Sequence, residues 1–215
     1  SCGALKLILP EVDRLFGVPQ PVKYHPEVDT GLHILLCLQQ AAKLTDDPVV
    51  RYAALVHDVG KGVTDKAKWP SHYAHETLGL PLQADISKRL HVPNEFSKLA
   101  ALVCEHHTKL HRIKELRPAT LLKLIEALDG FRRPERVQKF LIACEADAKG
   151  RTGLEERDYP QNTYLTTILN ELSQLDLGAL LKQAKPKNTQ EFVQQSRLNL
   201  LSDILTRLKI SEAAN

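Results

Sequence analysis

The sequence predicts an all-helical protein. Leu and Ala carry most of the 43% hydrophobic residues, whereas aromatic residues make up only 5%, a balance that favours helices over a β-sandwich or barrel. Apolar residues also recur at three-or-four spacing through long stretches, and Asp, Thr or Pro stands where each stretch begins.

Taken in order, the segment 1–24 holds Pro10, Gly17, Pro19 and Pro21, punctuation that suits a linker or short lead-in. Asp29 or Thr30 can cap a helix running to Leu44, with His33 inside its apolar interior. Asp47 and Pro48 form a cap and first-turn pair for a helix through VVRYAALVHDVG, ended by Gly60 and Gly62. Its inner stripe carries Val50, Ala53, Ala54 and His57. Residues 63–80 read as a loop and a short helical piece, followed by a separate helix from Pro81 to Leu90, with the proline in its first turn. Pro93, Pro118 and Pro134 each open a further helix. In the first of these, Phe96, Leu99, Val103 and either His106 or His107 share a face. In the last, Val137, Phe140, Cys144 and Asp147 do, which places a carboxylate on an apolar stripe where it needs a partner. Two longer amphipathic helices, around 164–183 and 189–208, follow in a packing role.

The 215 residues suffice for one large core or two small ones, and a net charge of +3 tolerates an anionic partner without demanding one. Cys2, Cys37, Cys104 and Cys144 are scattered with no C-x-x-C pair, as expected of reduced core thiols in a cytoplasmic protein. No apolar stretch is long enough to span a bilayer and no signal sequence is evident, so no membrane partner is expected. Methionine is absent throughout, which reads as an excised or engineered piece of a longer product.

The chemistry lies in the placement of the nine histidines. His33, His57, His75 and the His106/His107 pair sit in or beside apolar helical segments, with Asp58 and Asp147 alongside. Imidazole nitrogens and carboxylate oxygens are the donors a divalent ion takes from facing helices, and one cation would offset the burial of several polar groups. Adjacent ligands at a helix end reach one ion only if the backbone is loosened there, a freedom attributed to Gly60 and Gly62. Successive helical residues point about 100° apart, so His106 and His107 cannot both face one ion, and His107 is the expected member.

The string AALVHDVGK around His57-Asp58 resembles the signature of the HD superfamily of phosphohydrolases. That family runs from an upstream His through the His-Asp pair and intervening histidines to a distal Asp, with Lys three residues after the pair. The matching positions are His33, His57-Asp58, His75 with His106 or His107, Asp147, and Lys61. Over a wider span, GALKLILPEVDRLFGVPQP, HPEVDTGLH, HDVGKG, WPSHYAHETLG and EADAKGRTGLEERDYPQ resemble the C-terminal half of bacterial CCA-adding tRNA nucleotidyltransferases. The Gly-Ser signature and paired aspartates of a nucleotidyltransferase head are absent, so this chain should not itself add CCA.

The resemblance implies an HD helical bundle over 25–155 with additional C-terminal helices over 156–215, after a lead-in from an upstream head. It implies a divalent cation, nickel or another transition metal or magnesium, held by His33, His57, Asp58 and Asp147, with His75 and His107 adding a second ion if there are two. Lys61 and Arg151 are placed to meet phosphate oxygens, and Asp58 completes the catalytic set. The implied substrates are 2′,3′-cyclic phosphodiesters, 2′-nucleotides and other phosphorylated nucleotides, with tRNA as partner and a homodimer as the assembly the family allows. A tRNA-binding module with a structural or vestigial metal site is the alternative, using Arg132, Arg133, Arg136, Lys139, Lys149 and Arg151. Hydrolysis of a guanosine alarmone is disfavoured, because that branch carries an acidic pair where this chain has Val59, Gly60 and Lys61.

Overall fold

The structure, a computed structural model, describes residues 3–214, so Cys2 lies outside the described residues. Among these residues the chain forms eleven α-helices and three short 3₁₀ turns, with no strand beyond an isolated Pro19–Asp29 bridge. Cys37, Cys104 and Cys144 are buried free thiols, in keeping with the sequence.

The chain divides into two compact units, one of Ser1–His111 with Glu135–Tyr159 and one of Arg112–Pro134 with Pro160–Asn215. The first holds α1 (Ala4–Ile8), α2 (Pro10–Asp13), α3 (Thr30–Leu44), α4 (Pro48–Val56), α5 (His75–Arg89), α6 (Asn94–His111) and α8 (Pro134–Lys149). The second holds α7 (Pro118–Ala127), α9 (Gln161–Ser173), α10 (Leu177–Ala184) and α11 (Thr189–Ala214), with α11 packed on α7 and α9. Its core includes Leu121, Ile125, Leu128, Leu165, Ile168, Leu201 and Ile204, all fully buried.

In the first unit α4 lies against α3 and α6, and α5 lies against α6 and a 3₁₀ turn over Val59–Val63. Ile34, Val50, Ala53, Val103 and Phe140 are fully buried, and burial of each larger apolar side chain stabilises by about 1.5–3 kcal/mol. Ala41, Ala54 and Ala146 meet in a small-residue contact that lets α3, α4 and α8 approach closely. Residues ahead of α3 join this core through Val12, Leu15 and Val18. Arg89 on α5 fastens them further, donating to the Ile8 carbonyl at 2.6 Å and to Glu11 at 2.8 Å.

Local chemistry starts the helices. Asp29 caps α3 by accepting from Leu32 N at 2.9 Å, and Asp47 caps α4 by accepting from Val49 N at 2.8 Å, with Pro48 following. Two sequence expectations need correction. Pro81 lies in the middle of one continuous helix, α5, and does not open a new one. It removes the hydrogen bond to Thr77, and both residues are exposed, so that carbonyl is open to solvent. The predicted helix over 164–183 is instead α9 and α10, because Asp176 accepts from Ala179 N at 2.9 Å and starts a new helix.

Candidate metal centre

All the site residues named from the sequence lie in the first unit. His33 follows the Asp29 cap by one turn and faces inward from α3. His57 is the last αR residue of α4, after which Asp58, at φ −106° and ψ 11°, turns the chain into the 3₁₀ turn that carries Lys61. His75 opens α5, His107 lies near the end of α6, and Asp147 points inward from α8. Gly60 and Gly62 do not adopt the positive φ that would loosen the backbone. Gly60 acts through close approach, since a Cβ there would stand 2.0 Å from the His75 carbonyl oxygen. Gly150 does the same at the end of α8, where a Cβ would stand 2.6 Å from Cys37 N.

The imidazoles share one orientation. His33 Nδ1 lies 3.0 Å from the Gly150 carbonyl, His57 Nδ1 2.8 Å from that of Ala54, His75 Nδ1 3.0 Å from that of His72, and His107 Nδ1 2.9 Å from that of Val103. A carbonyl only accepts, so Nδ1 carries a proton, and a ring without a second proton turns an Nε2 lone pair inward. Burial acts to lower His33, but Cys37 and Asp147 outweigh it and raise it well above the ordinary imidazole value, so without a cation a proton takes that inward place. Those lone pairs face two carboxylates. His33 Nε2 is 3.0 Å from Asp147 Oδ1, and His57 Nε2 is 3.3 Å from Asp58 Oδ2. His75 and His107 present Nε2 to Asp58 Oδ1 at 3.3 and 3.6 Å, and to each other at 3.5 Å. Asp58 thus has one oxygen toward His57 and the other toward His75 and His107.

Lone pairs facing carboxylate oxygens repel unless a proton or a cation lies between them. His57 Nε2 and Asp58 Oδ1 are buried without any hydrogen-bond partner, and an orphaned buried polar atom costs about 1–3 kcal/mol. A divalent cation would satisfy both. The donor set of imidazole nitrogens and carboxylate oxygens is one that divalent ions accept, and the ligand atoms of His57, Asp58 and His107, like those of His33, Cys37, His57 and Asp147, lie within 4.8 Å of one another. The residues therefore fit a metal.

Electrostatics keep the acids ionised. Burial acts to raise the Asp58 carboxyl, but Lys61 and His57 outweigh it and hold it well below the usual carboxylate range. Burial acts likewise on Asp147, and His111, His57 and His33 outweigh it. Burial pushes His107 well below the ordinary imidazole value, so this ring is neutral. At His57 burial again acts downward, but Asp58 and Asp147 prevail and raise it, so a proton competes with a cation for that position.

Lys61 is buried, its ammonium donating to Asp58 Oδ2 and to Gln20 Oε1, each at 2.6 Å. Arg151 stands with a terminal nitrogen 3.8 Å from Asp147 Oδ1, and its buried Nε has no partner. His107 rather than His106 comes to Asp58, for His106 is engaged by Lys109 at 3.0 Å.

Sequence reasoning missed His111 and Glu27. His111 Nε2 meets Asp147 Oδ2 at 2.6 Å while its Nδ1 meets the Tyr159 hydroxyl at 2.8 Å. Its spacing of four from His107 was the available signal. Glu27 Oε1 lies 3.0 Å from both His25 Nδ1 and His33 Nδ1, and as a loop residue it leaves no periodic trace. Burial pushes His25 down to about 4, so that ring is neutral.

The family profile described as HD domain matches residues 30–140. A protein of Teredinibacter turnerae named Multifunctional CCA protein is 53% identical over 185 residues, covering 86% of this chain and 45% of its own length. Proteins of the same name from Vibrio campbellii and Pseudomonas syringae pv. syringae are 50% and 46% identical, covering 85% and 96% of this chain. The chain spans about half the length of these relatives. With more than half of its residues inside the matched region, the chain belongs to the HD-domain family of metal-dependent hydrolases.

Proposed function

We propose that this chain hydrolyses phosphoester bonds with a divalent cation held by His33, His57, Asp58 and Asp147, and that His75 and His107 serve a second cation through the other oxygen of Asp58. The observation that carries this reading is the orphaned, buried pair His57 Nε2 and Asp58 Oδ1 within a ring of inward-facing imidazoles. The substrates we assign are 2′,3′-cyclic phosphodiesters, 2′-nucleotides and phosphomonoesters. The setting is tRNA 3′-end processing or repair, beside a nucleotidyltransferase head such as the similarity to Multifunctional CCA proteins supports.

A bound divalent cation lowers the pKa of water and polarises a phosphoryl oxygen. Around it the chain's own groups have separate tasks. Lys61 keeps Asp58 ionised and retains a third N–H beyond its two bonds, directed by that pairing. Arg151, with Nε unpaired, offers a planar fork to phosphate oxygens. His111 holds Asp147 by its second oxygen, leaving the first to face His33.

Asp58→Ala is expected to abolish chelator-sensitive hydrolysis of 2′,3′-cyclic nucleotides while keeping a helical circular-dichroism spectrum. Unchanged turnover would remove the assignment. Four of the six cations that the tRNA-binding alternative enlists are already paired with acids. Arg132 and Arg133 are held by Asp129 at 2.7 and 3.3 Å, Lys139 by Asp47 and Glu95 at 3.0 and 2.5 Å, and Lys149 by Glu145 at 2.9 Å.

A further inference from the structure

Gln20 lies in the segment ahead of α3 and adjoins the Pro19–Asp29 bridge. Its backbone is pinned there, since Gln20 N donates to the Val28 carbonyl at 2.6 Å and His72 Nε2 donates to the Pro19 carbonyl at 2.7 Å. The residue is 1% exposed, and its side chain reaches Lys61. An ammonium only donates, so the atom that meets Lys61 Nζ at 2.6 Å must be the amide oxygen, which settles the two ends of the amide. The other end, Nε2, is a buried donor with no hydrogen-bond partner.

That donor belongs to the centre. Lys61 Nζ spans Asp58 Oδ2 and Gln20 Oε1, each at 2.6 Å. Covalent geometry sets an amide nitrogen about 2.3 Å from its oxygen, so Nε2 lies within about 5 Å of the ammonium. Nε2 is shielded from solvent like His57 Nε2 and Asp58 Oδ1, the atoms a cation must reach, so its burial does not set it apart from them. Arg151 Nε is a second buried donor without a partner, and Lys61 retains a third N–H. Burial holds His25 down at about 4, and the charges of Lys61 and Arg151 add to it, so both cations lie near that one ring. Acids and lone pairs without donors call for a cation. Donors without acceptors, at the edge of the same centre, call for the oxygens of an anion.

We propose that Gln20 contacts the substrate, its Nε2–H donating to a non-bridging oxygen of the phosphoryl group that Lys61 also meets. The inference rests on the reading of the site as a phosphoesterase. The oxygen of the amide aims the ammonium, and its nitrogen places a neutral donor beside that charge. One side chain therefore orients Lys61 and touches the phosphoryl group itself.

Inorganic phosphate, the product of phosphomonoester hydrolysis, is the probe, titrated by calorimetry into manganese-saturated protein. Gln20→Glu keeps an acceptor for Lys61 and removes the donor, whereas Gln20→Met removes both without adding charge. Each is expected to bind phosphate at least ~10-fold more weakly than the native chain. Gln20→Met on a Lys61→Met background is expected to weaken phosphate binding further, by at least ~5-fold, because the amide makes its own contact. Native phosphate affinity in Gln20→Glu would show that the amide serves Lys61 alone and would overturn the proposal. The absence of any further loss on the Lys61→Met background would overturn it as well. In both cases the phosphoesterase reading would stand. Manganese-saturated native protein that neither binds phosphate nor hydrolyses a phosphoester would overturn that reading, and the role of Gln20 with it.

Discussion

Asp147 faces His33 Nε2 with one oxygen and meets His111 Nε2 with the other, 2.6 Å away. His111→Ala strips the second oxygen of that donor in a buried setting, so a loss of about 1–3 kcal/mol is expected in urea denaturation, with weaker metal binding by calorimetry. Gly150→Ala drives a methyl group to 2.6 Å from the Cys37 amide nitrogen, which is backbone and cannot swing aside. A cost of roughly 1–3 kcal/mol is expected, together with reduced metal uptake by elemental analysis. How far these residues could be read from the sequence depends on their surroundings. His33, His57 and Asp147 interrupt apolar stripes, and a polar residue inside a stripe is conspicuous. His111 carries a signal in its spacing of four from His107, whereas Glu27 sits in a loop, where only the tertiary fold brings it against His33.

The capping of α4 provides a test with a defined sign. Burial acts to raise the Asp47 carboxyl, but Lys139 and the Val49 amide outweigh it and lower it. A folded-state pKa below the unfolded value of about 3.9 means the contribution is complete above that pH and fades as the pH falls through the folded value. Asp47→Ala should therefore cost about 0.5–2 kcal/mol at neutral pH and progressively less in acid, as urea midpoints at a series of pH values would show. Pro81 in the exposed middle of α5 predicts the reverse effect. Pro81→Ala restores the hydrogen bond to Thr77 and should stabilise by about 2 kcal/mol after the entropy regained by the unfolded chain, read as a raised Tm. Helix beginnings were legible wherever Asp or Pro supplied the first turn, as at Asp29, Asp47–Pro48, Pro118 and Pro134. The continuity of α5 was not, because whether a proline breaks a helix depends on which side of it faces water. Nor was the break between α9 and α10, which turns on whether the Asp176 side chain or the helix ladder claims a nearby amide.

For the molecule as a whole, the centre belongs to one of two compact units. A ligand that binds only the folded state stabilises by about 2.7 kcal/mol at a hundredfold excess over its Kd, so added divalent metal should raise the thermal midpoint and a chelator should reverse it. Hydrogen exchange should locate the added protection in the first unit, around His33, His57–Lys61, His107 and Asp147, and equal protection across α9–α11 would contradict that placement. The +3 net charge leaves steering of a polyanion to local geometry, a property that an all-helical composition does not disclose. His33 and Asp147 touch at 3.0 Å across 114 positions of sequence. During translation every imidazole of the centre therefore emerges before its distal acid, and at ~5–20 residues per second roughly 6–23 s separate the two. A nascent chain in that interval lacks the carboxylate that His33 faces, so the cradle closes only once α8 has docked against α3.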